Sequence, residues 1–216
     1  TGVQTCALPI SGAGRAFCSG QDLQDAMALG QMDLGRVLAE EYEPLLKAID
    51  DCPVPTIAAV NGAAAGAGAN LALACDVVIA CESASFIQAF TRIGLIPDAG
   101  GTYWLPRQVG MARAMGAALF AEKVPARQAA DWGMIWEAVP DDGFAAHVAA
   151  RAGALAAGPT VAYRLVKQAL RASPANGLEA QLALEAQLQG EAGATADFRE
   201  GVAAFLEKRA PRFRGE

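Results

Sequence analysis

The chain has 216 residues, 53% of them hydrophobic and 19% charged, enough apolar material for a sizeable core and too little charge for a disordered polymer. Lys plus Arg number 17 against 23 Asp plus Glu, a net charge of −6, which argues against a basic nucleic-acid binder. No apolar run reaches the roughly 18 residues of a bilayer span, and residues 1–10 lack the basic start and long apolar stretch of a secretory signal. The expectation is a cytoplasmic protein with neither nucleic-acid nor membrane partners.

In chain order, the glycine turn Gly20-Gln21-Asp22-Leu23 leads into a segment with helical apolar spacing through Leu46-Lys47-Ala48-Ile49, ended by Pro53. Thr56–Val60 and Asp76–Ala80 read as buried strands, with a short helix between them in the Ala63–Ala74 stretch. Strand, turn, helix and strand in that order predict a parallel sheet and an α/β fold. Residues 97–101 break the chain before a helix over Thr102–Val109. After about Pro140 the pattern turns helical: Gly158-Pro159-Thr160 opens one helix and Asp197 the last, where Phe205, Lys208 and Arg209 fall at i, i+3 and i+4 on one face.

The five cysteines (Cys6, Cys18, Cys52, Cys75, Cys81) form no CxxC pair, and with one histidine they predict free thiols and no metal site. His147 sits in an alanine-rich helical stretch far from any glycine loop, so a surface place is expected. Without a placed imidazole, Ser-His-Asp and Cys-His chemistry is excluded. Reactivity must then come from carboxylates and backbone dipoles.

Residues 63–69 are all Ala or Gly and run into a predicted helix. Such a run admits a ligand close to unpaired N–H groups at a helix start, although tight helix-to-sheet packing accounts for it equally well. A dinucleotide fingerprint fits poorly, because the third glycine after Gly66 and Gly68 would fall on Leu71 and Glu82 comes too early for a ribose ligand. Asp98, between Pro97 and Ala99-Gly100-Gly101, reads from local sequence either as a helix N-cap or as an active carboxylate.

Taken together, Gly14-Arg15-Ala16-Phe17-Cys18-Ser19-Gly20-Gln21-Asp22-Leu23, Ile57-Ala58-Ala59-Val60-Asn61-Gly62, Cys75-Asp76 and Gly94 through Thr102 resemble the crotonase (enoyl-CoA hydratase/isomerase) superfamily from about Ser11 onward. The resemblance implies a crotonase-like spiral of ββα units. It divides the chain into an atypical leader at 1–10, a core at 11–140 that is incomplete at its N-terminus, and a C-terminal helical trimerisation region at 141–216.

It further implies an acyl-CoA thioester substrate and a homotrimer or dimer of trimers, with no cofactor beyond the CoA of the substrate. The backbone N–H groups of Ser19 and Ala67 would form the oxyanion hole. Asp98 would be the catalytic acid/base, Gln21, Asn70, Ile87, Phe90 and Leu95 the substrate pocket, and Phe205 and Lys208 the CoA contacts. The positions matching the two hydratase glutamates read Asn70 and Phe90, and an amide cannot serve as a general base. An isomerase of the phenylacetate-degradation branch, acting on a ring-1,2-epoxide of phenylacetyl-CoA, is therefore expected. The alternatives are a Δ3,Δ2-enoyl-CoA isomerase or hydratase of fatty acyl chains, and a non-catalytic binding member of the fold.

Overall fold

A computed structural model describes residues 7–22 and 33–216. Cys6, Leu23 and the first part of the expected helical segment, residues 24–32, lie outside the described residues. The chain divides into two compact units. One comprises Pro9–Cys52 and Thr56–Val148, and the other Ala7, Leu8, Pro53–Pro55 and Ala149–Glu216.

The first unit is built from strand pairs that split between two sheets. Strands β1 (Leu8–Ser11), β3 (Thr56–Val60), β5 (Val77–Cys81) and β8 (Glu137–Val139) form one sheet in the order β1-β3-β5-β8. Strands β2 (Ala16–Cys18), β4 (Ala63–Ala65), β6 (Ser85–Ile87) and β7 (Val124–Pro125) form the other, in the order β2-β4-β6-β7. The β3–β5, β5–β8, β2–β4 and β4–β6 pairs are parallel, and β6–β7 is antiparallel. Each early turn of the chain thus lays one strand in each sheet before entering helix, which is the expected ββα spiral.

Helices α1 (Leu34–Val37) and α2 (Glu43–Asp50) are joined by a π-helical turn over Leu38–Tyr42. Next come α3 (Ala67–Leu73), α4 (Gly101–Val109), α5 (Met111–Phe120) and α6 (Ala126–Asp131). The α/β expectation holds, and β3 and β5 stand where their apolar runs put them. The short helix expected within Ala63–Ala74 is there as Ala67–Leu73, but the first three residues of the stretch form β4, a strand the apolar pattern did not announce. An all-alanine segment has no hydrophobic period, so tertiary pairing with β2 and β6 decides its state.

Two polar staples explain motif residues that carry no chemistry. Thr56 N–H and Oγ1 both donate to Asp76 Oδ2, at 2.8 and 2.9 Å, fastening the start of β3 to the residue before β5. Asn61 accepts from Gly12 N–H at 3.0 Å and donates to Gly14 C=O at 3.1 Å, holding the β1–β2 turn. His147 lies on α7 (Phe144–Ala156), its Nε2 2.8 Å from Glu137 Oε1. Among the described residues, Cys18, Cys52, Cys75 and Cys81 form no disulfide, and the last two are buried.

The second unit contains α8 (Thr160–Ala172), α9 (Leu178–Gly193) and α10 (Ala196–Leu206). The last helix is capped by Thr195, whose Oγ1 accepts from Phe198 N–H at 3.0 Å, so Asp197 stands inside it. The expected shared face of Phe205, Lys208 and Arg209 does not form. The helix stops at Leu206, Lys208 takes a left-handed φ of 55°, and Arg209 N–H donates to Ala204 C=O, a Schellman closure with lysine where glycine is usual. Arg209 then turns back to Glu200, with contacts of 2.6 and 2.9 Å. None of the helices among the described residues is long and apolar enough to cross a membrane.

Candidate active site

The site lies in the first unit, where β2, the α3 start and the loop before α4 converge. Gly68, in the first turn of α3, touches the end of β2, and a Cβ there would stand 2.3 Å from Cys18 C=O. Gly20, at φ +85°, closes the turn after Ser19, and a Cβ on it would stand 3.4 Å from Ala67 N. The small-residue run therefore does both jobs expected of it: it packs the helix against the strand and leaves backbone next to open space. Gly66 (φ 56°, ψ −129°) turns the chain from β4 into α3, with its own N–H bonded to Ile87 C=O at 2.8 Å. As the first helical residue, Ala67 has an N–H without an intrahelical acceptor.

A cavity of about 140 Å³ opens here, lined by Ser19, Gly20, Gln21, Gly66, Ala67, Phe90, Leu95 and Asp98, and closed by Leu34, Val37, Leu38 and Tyr42. The structure thus brings together Ser19, Ala67, Gln21, Phe90, Leu95 and Asp98. Asn70 and Ile87 are corrections, since neither lines this cavity. Asn70 is fully buried; its Nδ2 donates to Asp98 C=O at 2.8 Å and its Oδ1 accepts from Gln88 Nε2 at 2.7 Å. Its amide is committed to holding the Asp98 loop. Ile87 meets the site through its carbonyl to Gly66, being the last residue of a strand whose alternation turns its side chain away.

The loop carrying Asp98 is held by its main chain. Asp98 C=O also accepts from Gly101 N–H at 2.8 Å, and Ala99 and Gly100 take left-handed φ values of 46° and 79°. Gly101 must lack a side chain, because a Cβ would meet Asn70 Nδ2 at 2.3 Å. Asp98 does not cap α4; Gly100 holds that position and makes no side-chain cap bond. Its Oδ1 is buried with no hydrogen-bond partner. Burial pushes this carboxyl above the ordinary aspartate range, its own backbone N–H pulling weakly the other way.

Chemically, the site is one half-buried carboxylate in a mostly apolar pocket beside main-chain donors. Among the described residues lining it, Asp98 is the only acid. The wall from the first helix went unassigned in the sequence, although Leu34, Leu38 and Tyr42 at i, i+4 and i+8 announce one apolar face. Tyr42 Oη donates to Gln21 Oε1 at 2.8 Å, and burial, followed by the nearby Asp98, Cys18 and Glu41 charges, raises its phenol. Phe205, 83% exposed, and Lys208 belong to the second unit.

The family model "Enoyl-CoA hydratase/isomerase" matches residues 4–216, so the likeness starts upstream of the expected Ser11. A Rhodobacter capsulatus protein named "Probable enoyl-CoA hydratase" is 68% identical over 209 residues, covering 97% of this chain and 81% of its own. The "1,2-epoxyphenylacetyl-CoA isomerase" of Escherichia coli is 50% identical over 212 residues, with the same coverage of 97% and 81%. The enoyl-CoA hydratase structure from Bacillus anthracis superposes with a TM-score of 0.91 at 34% identity, covering all of this chain (100%) and 83% of that one. The strand-splitting ββα spiral, the glycine-packed turn at Ser19 and Ala67, and these likenesses agree: the chain belongs to the enoyl-CoA hydratase/isomerase family of enzymes and has the crotonase fold.

Proposed function

We propose that the chain is an acyl-CoA isomerase that converts ring-1,2-epoxyphenylacetyl-CoA into 2-oxepin-2(3H)-ylideneacetyl-CoA. The observation that carries this reading is the carboxylate of Asp98, whose Oδ1 is buried without a hydrogen-bond partner, as the one acid among the described residues lining a mostly apolar cavity. The thioester oxygen takes the N–H groups of Ser19 and Ala67, which stabilise the charge that builds when a neighbouring carbon loses its proton. Asp98 accepts that proton and returns it to another atom of the same substrate, so no proton is gained or lost overall. A raised pKa makes the carboxylate a stronger base at neutral pH. Coenzyme A enters as part of the substrate, and the reading calls for no other group.

The cavity volume supports a ring-sized acyl group: about 140 Å³ here, against roughly 150 Å³ for a dry protein cavity that takes up benzene. The same proton shuttle also suits movement of a double bond from the 3,4 to the 2,3 position of a short acyl-CoA. Contacts from Phe205 and Lys208 to the CoA, and assembly as a trimer or dimer of trimers, complete the proposal. Exposed Leu170, Leu178 and Leu182 on the C-terminal helices support self-association.

Hydration is a second reading, favoured by the name of the Rhodobacter capsulatus relative. Against it, Asn70 has its amide tied up and Phe90 presents a phenyl ring, leaving one acid where water activation in this family uses two. Asp98→Asn separates the cases on a 3-enoyl-CoA. Isomerisation should fall about 10²–10⁴-fold with fold and CoA binding retained; unchanged turnover removes Asp98 from the reaction. Hydration of crotonyl-CoA faster than isomerisation would overturn the isomerase reading.

A further inference from the structure

Asp98 borders two spaces. Besides the smaller cavity, a more open groove of about 800 Å³ runs between the Gly35–Asp50 segment and the Ile96–Trp104 segment, and Leu38, Tyr42 and Asp98 line both. The groove is walled by Leu46, Ile96, Tyr103 and Trp104, with Ile96 77% and Tyr103 49% exposed. At its rim Lys47 pairs with Glu43 at 2.5 Å. An acyl chain reaching Asp98 from the thioester end therefore meets a benzene-sized chamber first and an apolar channel beyond.

Tyr42 stands at that division. It closes the π-helical turn, an irregularity that shifts side chains off the regular helical register. Its Oη is latched to Gln21, on the turn that carries Ser19. The ring is thus held from the far wall of the cavity, while Leu38 alone shares the border from its own helix. Six ring carbons fill a chamber of about this size; a linear chain of ten carbons has to pass Tyr42.

We infer that Tyr42 is a specificity-determining residue, a partition that confines the acyl group to ring size and keeps longer chains out of the groove. The inference rests on the acyl-CoA reading above. It implies that the ring does the excluding and that the hydroxyl, through Gln21, keeps the ring in place. Removing the ring joins chamber and groove into one apolar tunnel, and two further buried methylenes suffice for about a tenfold gain in affinity.

The test is binding, which needs no turnover. Phenylacetyl-CoA and decanoyl-CoA are titrated calorimetrically into wild type, Tyr42→Phe, Tyr42→Leu and Tyr42→Ala, with thermal melts run on each. Wild type should prefer phenylacetyl-CoA. Tyr42→Phe should keep most of that preference, while Tyr42→Ala or Tyr42→Leu, whichever folds, should raise the decanoyl-to-phenylacetyl affinity ratio about tenfold or more. An unmoved ratio in a folded variant overturns the partition and leaves the isomerase reading intact. Unchanged turnover in Asp98→Asn instead overturns the isomerase reading and leaves the ratio to judge Tyr42. Failure of folded wild type to bind either ligand overturns both.

Discussion

Two carboxylates, one in each unit, have opposite surroundings. In the second unit Asp197, 3% exposed, accepts from Arg214 N–H at 2.7 Å and Gly215 N–H at 2.9 Å, so both oxygens are satisfied. Nearby Glu200 is gripped by Arg209 and by Arg212 N–H, and its carboxyl is pulled down to about 2. In the first unit Asp98 has one oxygen with no partner at all and a raised pKa. Both chain segments are loop backbone pinned by acid-bearing residues, yet Asp98 contributes its carbonyl to the pinning and withholds its side chain. A carboxylate that a fold uses for stability is saturated; the unpartnered oxygen of Asp98 instead suits the proton transfer proposed for it.

The sharpest way to break this contrast, after Asp98 itself, is Ala67→Pro. Proline suits the first position of a helix and replaces the N–H with a ring carbon. Turnover should drop about 10²–10³-fold, the loss typical of one oxyanion donor, with far-UV dichroism unchanged; full activity would show that this N–H does not hold the thioester. Of intermediate size is Asp197→Ala, which strands two backbone donors and should destabilise by roughly 1–3 kcal/mol per donor. Urea denaturation reads it, and a silent mutation would mean the tail is not clamped as drawn.

The smallest effects are in pH. Asp98 has a folded pKa above its unfolded one, so it lends stability at low pH that is lost as pH rises through the raised value. Asp98→Asn should therefore melt no lower than wild type at neutral pH. The acid limb of the wild-type rate profile should lie above the ordinary aspartate range, because protonation there removes the base. Glu200 runs the other way: its contribution is complete above the ordinary glutamate value of 4.5 and is lost as pH falls through about 2. Exchange of the Arg212 amide should accelerate only in that lower window.

Much of this was legible from residue order. β3 and β5 follow from solid apolar runs, α4 from its Pro-Gly break and α8 from Gly158-Pro159, because burial and turn chemistry leave strong marks. Ala63–Ala65 left none, since alanine suits strand and helix alike. The Phe205, Lys208 and Arg209 face failed because the ion pair with Glu200 and the Schellman turn override helical spacing. Within the site, Ser19, Ala67 and Asp98 came from motif order, whereas Tyr42 and the sequestered Asn70 depend on which segments meet across the fold.

In the proposed reaction the donors that meet the thioester belong to peptide units and not to side chains. Point mutation at Ser19 or Ala67, proline apart, leaves those donors in place. On the proposed reading, descendants of this scaffold that exchange Asp98, Phe90 or Tyr42 would change the reaction or the substrate while the polarising grip on the carbonyl passes unchanged from one lineage to the next.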